Sequence, residues 1–276
     1  MSLSHTSGFS PDWLALRENA DAAARAPELV TLLKEHLPAG RLVIRDLGCG
    51  TGSMGRWLAP QLPGPQHWIL HDHDPALLVR ATTGMTGMAA SDGSRVTVET
   101  HQGDLAGLSA ADLTGTSLIT GSALLDLLTA TEVDQLAMAS TGAGIPALLT
   151  LSVDGRVALS PDDPLDAEYT AAFNAHQRRT HHGRRLLGPD AAATAALAFE
   201  RHGAAVRTRP SPWRLDAAQA QLTAEWLRGW AGAAREQRPE LANDSYLPRR
   251  LGTCTAGELH VTIEHTDLLA LPERPA

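Results

Sequence analysis

Arg45-Asp46-Leu47-Gly48-Cys49-Gly50-Thr51-Gly52 follows directly on the apolar run Leu42-Val43-Ile44 and leads into a helix-like run from Met54 to Leu62. A strand, a glycine turn and a helix N-terminus in that order make a cradle for a ligand with an anionic group. The glycines let the backbone approach the ligand closely. The helix N-terminus offers free N–H groups and the positive end of the helix dipole.

The spacing narrows the ligand. A dinucleotide fingerprint reads G-x-G-x-x-G/A, with the third glycine where helix packs on strand. Here the third glycine comes one residue early, as G-x-G-x-G, and Ser53 stands where that fingerprint wants Gly or Ala. Asp46 stands two residues before the first glycine, and a second acid, Asp72, lies 20 residues after Gly52. The stretch resembles motif I of the class I S-adenosylmethionine (SAM) dependent methyltransferases, D/E-x-G-x-G-x-G. An NAD-type site and a purely structural turn are the competing readings.

The resemblance runs from about Asp46 to Leu151 in ordinary motif order. The flanks Trp13-Leu14-Ala15-Leu16-Arg17 and Leu187-Gly188-Pro189-Asp190-Ala191 resemble a group of bacterial small-molecule methyltransferases and name no substrate. The fold it implies is α/β: a doubly wound, seven-stranded, Rossmann-like methyltransferase sheet whose last strand is antiparallel and closes a C-terminal hairpin. N-terminal helices precede the sheet, and helical insertions follow strands 5 and 6.

Composition agrees with one domain over 1–276. At 276 residues the chain is long enough for one well-buried α/β domain with additions, or for two small domains. Net charge is −8 and pI about 5.8, against a polyanion as main partner, so nucleic acid is not the expected ligand. Arg178, Arg179, His181, His182, Arg184 and Arg185 form a local basic cluster, read either as a solvated face or as a substrate contact. The two cysteines, Cys49 and Cys254, form no C-x-x-C pair, so no zinc knuckle or disulfide framework is indicated. No apolar run approaches the roughly 18 residues that span a membrane, and no signal-peptide core precedes the first helix. A cytoplasmic protein acting on a small molecule is the expectation. Oligomeric state is not legible.

Three segments divide the chain. Residues 1–40 form an N-terminal helical lid, with helices over 11–25 and from Pro27 to about Leu37. Arg17, Asp21 and Arg25 fall on one side of the first helix. They read as an exposed ion-pair ladder or as part of a lid with Arg17 or Arg25 meeting a carboxylate. Residues 41–153 form the cofactor core, with strands at 41–47, 68–71, 96–100, 117–121 and 147–153. Residues 154–276 hold the substrate-side insertion and C-terminal strands. Asp154-Gly155 is a hairpin-type turn signal that would fold the fifth strand back through Val157 to Leu159. Regularity lapses after Pro161. Pro189 then starts an alanine-rich helix, strands follow at 204–208 and 259–264, and a long helix spans 216–237. Its stripe of Leu222, Trp226, Leu227 and Trp230 faces the core or a partner.

SAM presents an amino-acid head, a ribose diol and adenine. Asp72 is the expected ribose acid, beside His73. Asp74 competes with it but reads better as the N-cap before Pro75. Asp46, Gly48, Cys49, Gly50 and Gly52 line the cradle. The resemblance places Asp104 and Leu105 at the adenine and Ser122 beside the methionine head. Asp126 falls near the substrate opening. Methyl transfer from a sulfonium is an in-line displacement that needs alignment and a dry site. A base is needed only where the acceptor must lose a proton. Asn174, His176 and Gln177 share one helical turn. His176 is the candidate base; Asn174, Gln177, Trp213 and Asp126 are candidate substrate contacts. The spacing of His176, His181 and His182 fits no standard zinc pattern, so no metal is expected. Beside the methyltransferase stand an NAD(P)-type oxidoreductase and a non-catalytic SAM-binding sensor or partner subunit.

Overall fold

The computed structural model describes residues 10–103, 111–181, 183–243 and 245–272. Helices α1 (Pro11–Ala24) and α2 (Pro27–Lys34) lead into β1 (Leu42–Leu47), α3 (Ser53–Leu58), β2 (Gln66–Asp72), α4 (Pro75–Met85) and β3 (Val96–Gln102). Then come β4 (Leu118–Ser122), α5 (Ala130–Gly142) and β5 (Ala147–Ser160). The second half holds α6 (Asp166–Gln177), a small hairpin of β6 (Thr180–His181) and β7 (Arg184–Arg185), α7 (Ala191–Arg201) and β8 (Ala204–Pro210). It ends with β9 (Trp213–Leu215), α8 (Ala220–Gln237), α9 (Tyr246–Thr255) and β10 (His260–Pro272).

The sheet runs β3-β2-β1-β4-β5-β10-β8, with β9 also on β10. Strands β1 to β5 are parallel, and β10 is antiparallel to both β5 and β8. The chain builds outward from β1 to β3, then returns to lay β4 on the other side of β1. Ligands of open α/β sheets bind at such a switch point, outside the carboxyl ends of the strands. Register puts Asp46 level with Leu70 and Thr120, and Leu47 level with His71 and Gly121. The acids and the glycine turn therefore share one edge.

Successive strand residues divide between two cores, as the period of two requires. Ile44, Leu148 and Leu269 pack with Trp68 against α2, α3 and α4. Leu47, Leu149 and Leu268 pack with Ile119 against α5 and α7. A third core joins α6, α8, β9 and the far ends of β5 and β10 around Tyr169, Trp230 and Tyr246. Tyr169 and Tyr246 stack there with ring centroids 4.1 Å apart. Leu222, Leu227 and Trp230 of the α8 stripe are buried in this core, with Trp226 packed against it.

Three expectations are corrected. Asp154-Gly155 does not reverse the chain: β5 continues to Ser160, and the pair forms a bulge. Val157 opposes Ile263 and Val153 opposes His265, so three β5 residues stand against the single Glu264 of β10. Gly155 takes φ +81°, the same left-handed backbone a hairpin turn requires, so the composition is common to both devices. The stretch after Pro161 is not irregular but contains α6. Its polar residues hid a buried stripe of Tyr169 and Ala172. Strands β8 and β10 pair antiparallel but are not a hairpin, because residues 211–259 intervene.

Candidate cofactor and acceptor site

Three glycines of the turn take left-handed backbone: Gly48 at φ +61°, Gly50 at +54° and Gly52 at +85°. Space is tight as well. A Cβ at Gly48 would stand 3.0 Å from Leu124 Cδ1, and one at Gly50 would stand 3.2 Å from Leu14 Cδ1. The second contact shows that α1 covers the turn. Glu18 of α1 clasps Arg56 of α3 at 2.6 and 2.7 Å, and Arg56 Nη1 donates to Thr51 O within the turn.

Asp72 closes β2 and is buried. Its Oδ2 accepts from Gly50 N at 2.9 Å and its Oδ1 from Asp74 N at 3.0 Å. A carboxylate has about four acceptor positions, so capacity for a ligand hydroxyl remains. His73 stands beside it, exposed, with Nδ1 at 3.4 Å. Asp74 caps α4, its Oδ1 accepting from Ala76 N at 2.8 Å. The N-cap reading of Asp74 therefore holds, while Asp72 is buried against the glycine turn. Cys49 donates its backbone N–H to His71 O at 2.9 Å. Burial raises its thiol, so it stays protonated and serves as a small turn residue.

Asp46 is fully buried. Its Oδ1 accepts from Thr120 Oγ1 at 2.8 Å, while Oδ2 has no partner among the described residues. Burial pushes its carboxyl up to about 6, against the Thr120 hydrogen bond and the positive field of Arg25. Arg25 is only 2% exposed. Its Nη2 donates to Ser122 Oγ at 3.0 Å and to Ser53 Oγ at 3.4 Å. Its Nε and Nη1 are buried without a partner among the described residues. Its guanidinium lies 5.2 Å from the Trp57 ring, and burial lowers its pKa.

The α1 ladder is therefore buried rather than exposed. Arg17 Nε donates to Asp21 at 3.0 Å, and Trp213 Nε1 donates to the same carboxylate at 3.0 Å. Arg17 stacks 5.0 Å from Trp213 and 6.0 Å from Trp13. Trp213, expected at the substrate, donates its indole N–H to Asp21 of α1 and is 3% exposed.

Beyond β4 the chain turns sharply. Ala123 takes φ +51°, a conformation costly for any residue with a Cβ, and it directly follows Ser122. Asp126 lies in the short turn Leu125–Leu127. Its Oδ1 is buried and unpartnered, and burial pushes the carboxyl up to about 6, with Arg17 opposing. Asn174 Nδ2 donates to Gly155 O at 2.8 Å, leaving Oδ1 buried and unpartnered; Gln177 Oε1 is likewise unpartnered. His176 has both ring nitrogens engaged: Nε2 stands 3.0 Å from Glu236 and Nδ1 accepts from Arg179 at 2.6 Å. Asp104, Leu105 and His182 lie outside the described residues. Of the basic cluster, Arg178 pairs with Asp190 at 2.6 Å and Arg184 with Glu132 at 2.8 Å.

The chain is similar over nearly its whole length to the solved cyclopropane synthase MmaA2 from Mycobacterium tuberculosis. The TM-score is 0.52 at 12% identity, covering 95% of this chain and 94% of that one. The fold is that of the class I methyltransferases. A SAM-dependent methyltransferase from Geobacter sulfurreducens in complex with S-adenosyl-L-homocysteine is also similar. There the TM-score is 0.47 at 16% identity, over 96% of this chain and 99% of that one. No family model and no curated protein matches the sequence.

Sequence reading missed Asp267, 1% exposed in β10. Its oxygens accept from Ala26 N at 2.9 Å and Leu151 N at 2.8 Å. The available signal was a lone acid heading the apolar run Leu268-Leu269-Ala270-Leu271. It also missed His265, a buried neutral imidazole held down to about 4 by burial. Among the described residues no helix is long and apolar enough to cross a membrane, and no three acid, His or Cys side chains group as metal ligands.

Proposed function

We propose that the chain binds SAM in the glycine turn and transfers its methyl group to a small polar metabolite by in-line displacement. One observation carries this reading. At the carboxyl edge of β1 and β4, a buried carboxylate oxygen without a partner, Asp46 Oδ2, lies in the field of a buried guanidinium with two unpartnered N–H groups, Arg25. That pair matches the ammonium and carboxylate of an amino-acid head. A nicotinamide dinucleotide has no such zwitterion, and its pyrophosphate would meet the Asp46 carboxyl unfavourably.

In this reading Asp46 Oδ2 accepts from the ammonium, and Arg25 Nε and Nη1 donate to the carboxylate. Asp72 accepts from the ribose hydroxyls while it holds Gly50 in place. Gly48, Cys49, Gly50 and Gly52 supply close backbone approach, and Ser122 keeps Arg25 aimed inward. When bound, the cofactor supplies an activated methyl on sulfur. The protein's contribution is alignment and exclusion of water, with α1 and Leu14 closing over the turn.

A thermal-shift panel with SAM, S-adenosylhomocysteine, NAD and NADP tests the reading, since a ligand that binds the folded state raises its midpoint. SAM and S-adenosylhomocysteine raise the midpoint and the dinucleotides do not; the reverse result rejects the assignment. Transfer of labelled methyl from SAM into a small-molecule fraction then separates an enzyme from a sensor.

A further inference from the structure

The arginines of the basic stretch after α6 have no part in the SAM reading, yet they share one cavity. Arg178, Arg184 and Arg185 stand on the wall of a space of about 900 Å³ between the first turns of α5 and α7 and the β6–β7 hairpin. That volume suits a small molecule, whose sites run from roughly 300 to 1,000 Å³. None of Asp46, Gly48, Gly50, Gly52, Asp72 or Arg25 is on that wall. Helices α5 and α7, 13 and 11 residues long, both begin there and add the positive ends of their dipoles to the charge of the arginines.

Two carboxylates hold two of the arginines in place. Glu132 belongs to the capping box of α5, its Oε2 accepting from Thr129 N at 2.8 Å and from Arg184 Nη2 at 2.8 Å. Asp190, just before α7, accepts from Arg178 Nε at 2.6 Å and Nη2 at 2.7 Å. The Arg178 bonds hold the Asp190 carboxyl below its ordinary value. Burial opposes the same shift at Glu132, but the Arg184 and cap bonds prevail there. Both acids therefore stay charged and engaged. Arg185 makes no hydrogen bond among the described residues; only its field reaches Asp190. Three arginines against two carboxylates leave one positive charge over, in a chain whose net charge is −8. The hairpin that carries it is fixed by pairing of Arg185 with Thr180 and by Leu187 N donating to Leu128 O at 2.9 Å.

We propose that this cavity binds the phosphate of a small phosphomonoester, with Arg185 as its principal grip. The site goes beyond the SAM reading and does not depend on it. Arg178 spends Nε and Nη2 on Asp190 and keeps Nη1 for the ligand. Thr131 and Gln135 of α5 and Thr194 of α7 are on the same wall, and their side chains make no hydrogen bond among the described residues. Donors thus come from the hairpin, from α5 and from α7. A phosphate carries close to two negative charges and three acceptor oxygens, which donors on several sides can share. A carboxylate carries one charge and is filled by a single guanidinium fork. The arrangement therefore favours the phosphate.

Calorimetry on the full chain tests the site with inorganic phosphate, glycerol 3-phosphate, glycerate, glycerol and heparin, on wild type, Arg185→Gln, Arg185→Lys and Thr194→Val. Glycerol 3-phosphate and inorganic phosphate bind, glycerate binds at least about 10-fold more weakly, and glycerol does not bind. Arg185→Gln weakens glycerol 3-phosphate by about 10-fold or more. Arg185→Lys keeps the charge without the fork and falls between it and wild type. Thr194→Val loses one neutral donor and weakens binding by about 5-fold. The urea midpoint of Arg185→Gln stays at the wild-type value, because Arg185 has no hydrogen bond to lose. Saturating S-adenosylhomocysteine leaves the phosphate affinity unchanged. No binding of either phosphate, glycerate binding as tightly as glycerol 3-phosphate, or undiminished affinity in Arg185→Gln overturns the proposal. So does binding of heparin alone, which makes the arginines a polyanion surface, or displacement of phosphate by S-adenosylhomocysteine, which places the anion in the glycine turn.

Discussion

Arg25 Nη2 donates to Ser122 Oγ at 3.0 Å, tying the residue that follows α1 to the residue that ends β4 across 97 positions. Its Nε and Nη1 are buried without a partner among the described residues, and in the proposed function they meet the ligand carboxylate. The Trp57 ring offsets only part of that cost. Arg25→Met therefore weakens S-adenosylhomocysteine by about 2–3 kcal/mol, roughly 30- to 150-fold. Binding of 5′-methylthioadenosine, which lacks the amino-acid head, stays unchanged. Calorimetry with both ligands decides the matter. Equal losses for the two assign Arg25 to packing rather than to the carboxylate.

Asp72 holds the loop and, in the proposed function, also the ribose, so its removal affects two quantities. Asp72→Ala frees Gly50 N and Asp74 N and lowers stability by about 1–2 kcal/mol. The ribose contact is read separately, from S-adenosylhomocysteine against its 2′-deoxy counterpart. Wild type prefers the hydroxylated ligand by about 10-fold, and the preference vanishes in the variant. A preference that survives Asp72→Ala rejects the ribose assignment.

The first half of the fold was legible because its periodicity is local. Leu42-Val43-Ile44 before three glycines, and Pro75 after Asp74, each declare an element boundary within a few residues. The second half was not. In β5 the strand-breaking pair Asp154-Gly155 serves a bulge, which only pairing with β10 reveals. Helix α6 is polar on most faces, and α9 buries little beyond Tyr246, Arg250 and Cys254. The same limit applies to the site. The positions of Asp46 and Asp72 at the edge that carries the glycine turn follow from motif spacing. The burial of Arg25 does not, because sequence cannot say whether a helix face is covered. The environment of His176 depends on Glu236, 60 residues away.

Asp46 makes stability depend on pH in a definite direction. Its folded pKa of about 6 lies above the roughly 3.9 of an unfolded aspartate. Between those values the folded chain retains a proton that the unfolded chain has lost. This stabilising contribution is full below about pH 4 and is lost as pH rises through 6, at most about 3 kcal/mol for the site. Asp46→Asn keeps an oxygen for Thr120 and cannot ionise. In urea unfolding, the stability of the variant relative to wild type rises between pH 4.5 and 7.5. A relative stability that stays flat places the Asp46 carboxyl at an ordinary pKa. Binding of S-adenosylhomocysteine to wild type releases protons near pH 5.5 as the ammonium draws Asp46 into its charged form. The Asn variant loses that release, measured from the buffer dependence of the binding enthalpy.

Asp267 tests whether the α1–α2 helix pair and the sheet share one support. One carboxylate accepts from Ala26 N, between α1 and α2, and from Leu151 N, in the strained residue of β5 at φ +58°. The contacts fix the helix pair to β5. Asp267→Ala leaves two buried N–H groups without acceptors, at about 1–3 kcal/mol each. Removing a carboxyl that burial already holds above its usual range offsets part of this. A net loss of about 2–4 kcal/mol in urea unfolding follows. Asp267→Asn retains one acceptor oxygen and loses about half as much. Because Arg25 directly precedes Ala26, the Asn variant also weakens S-adenosylhomocysteine while leaving 5′-methylthioadenosine unaffected. Loss of stability with undiminished binding of both ligands separates the support from the site.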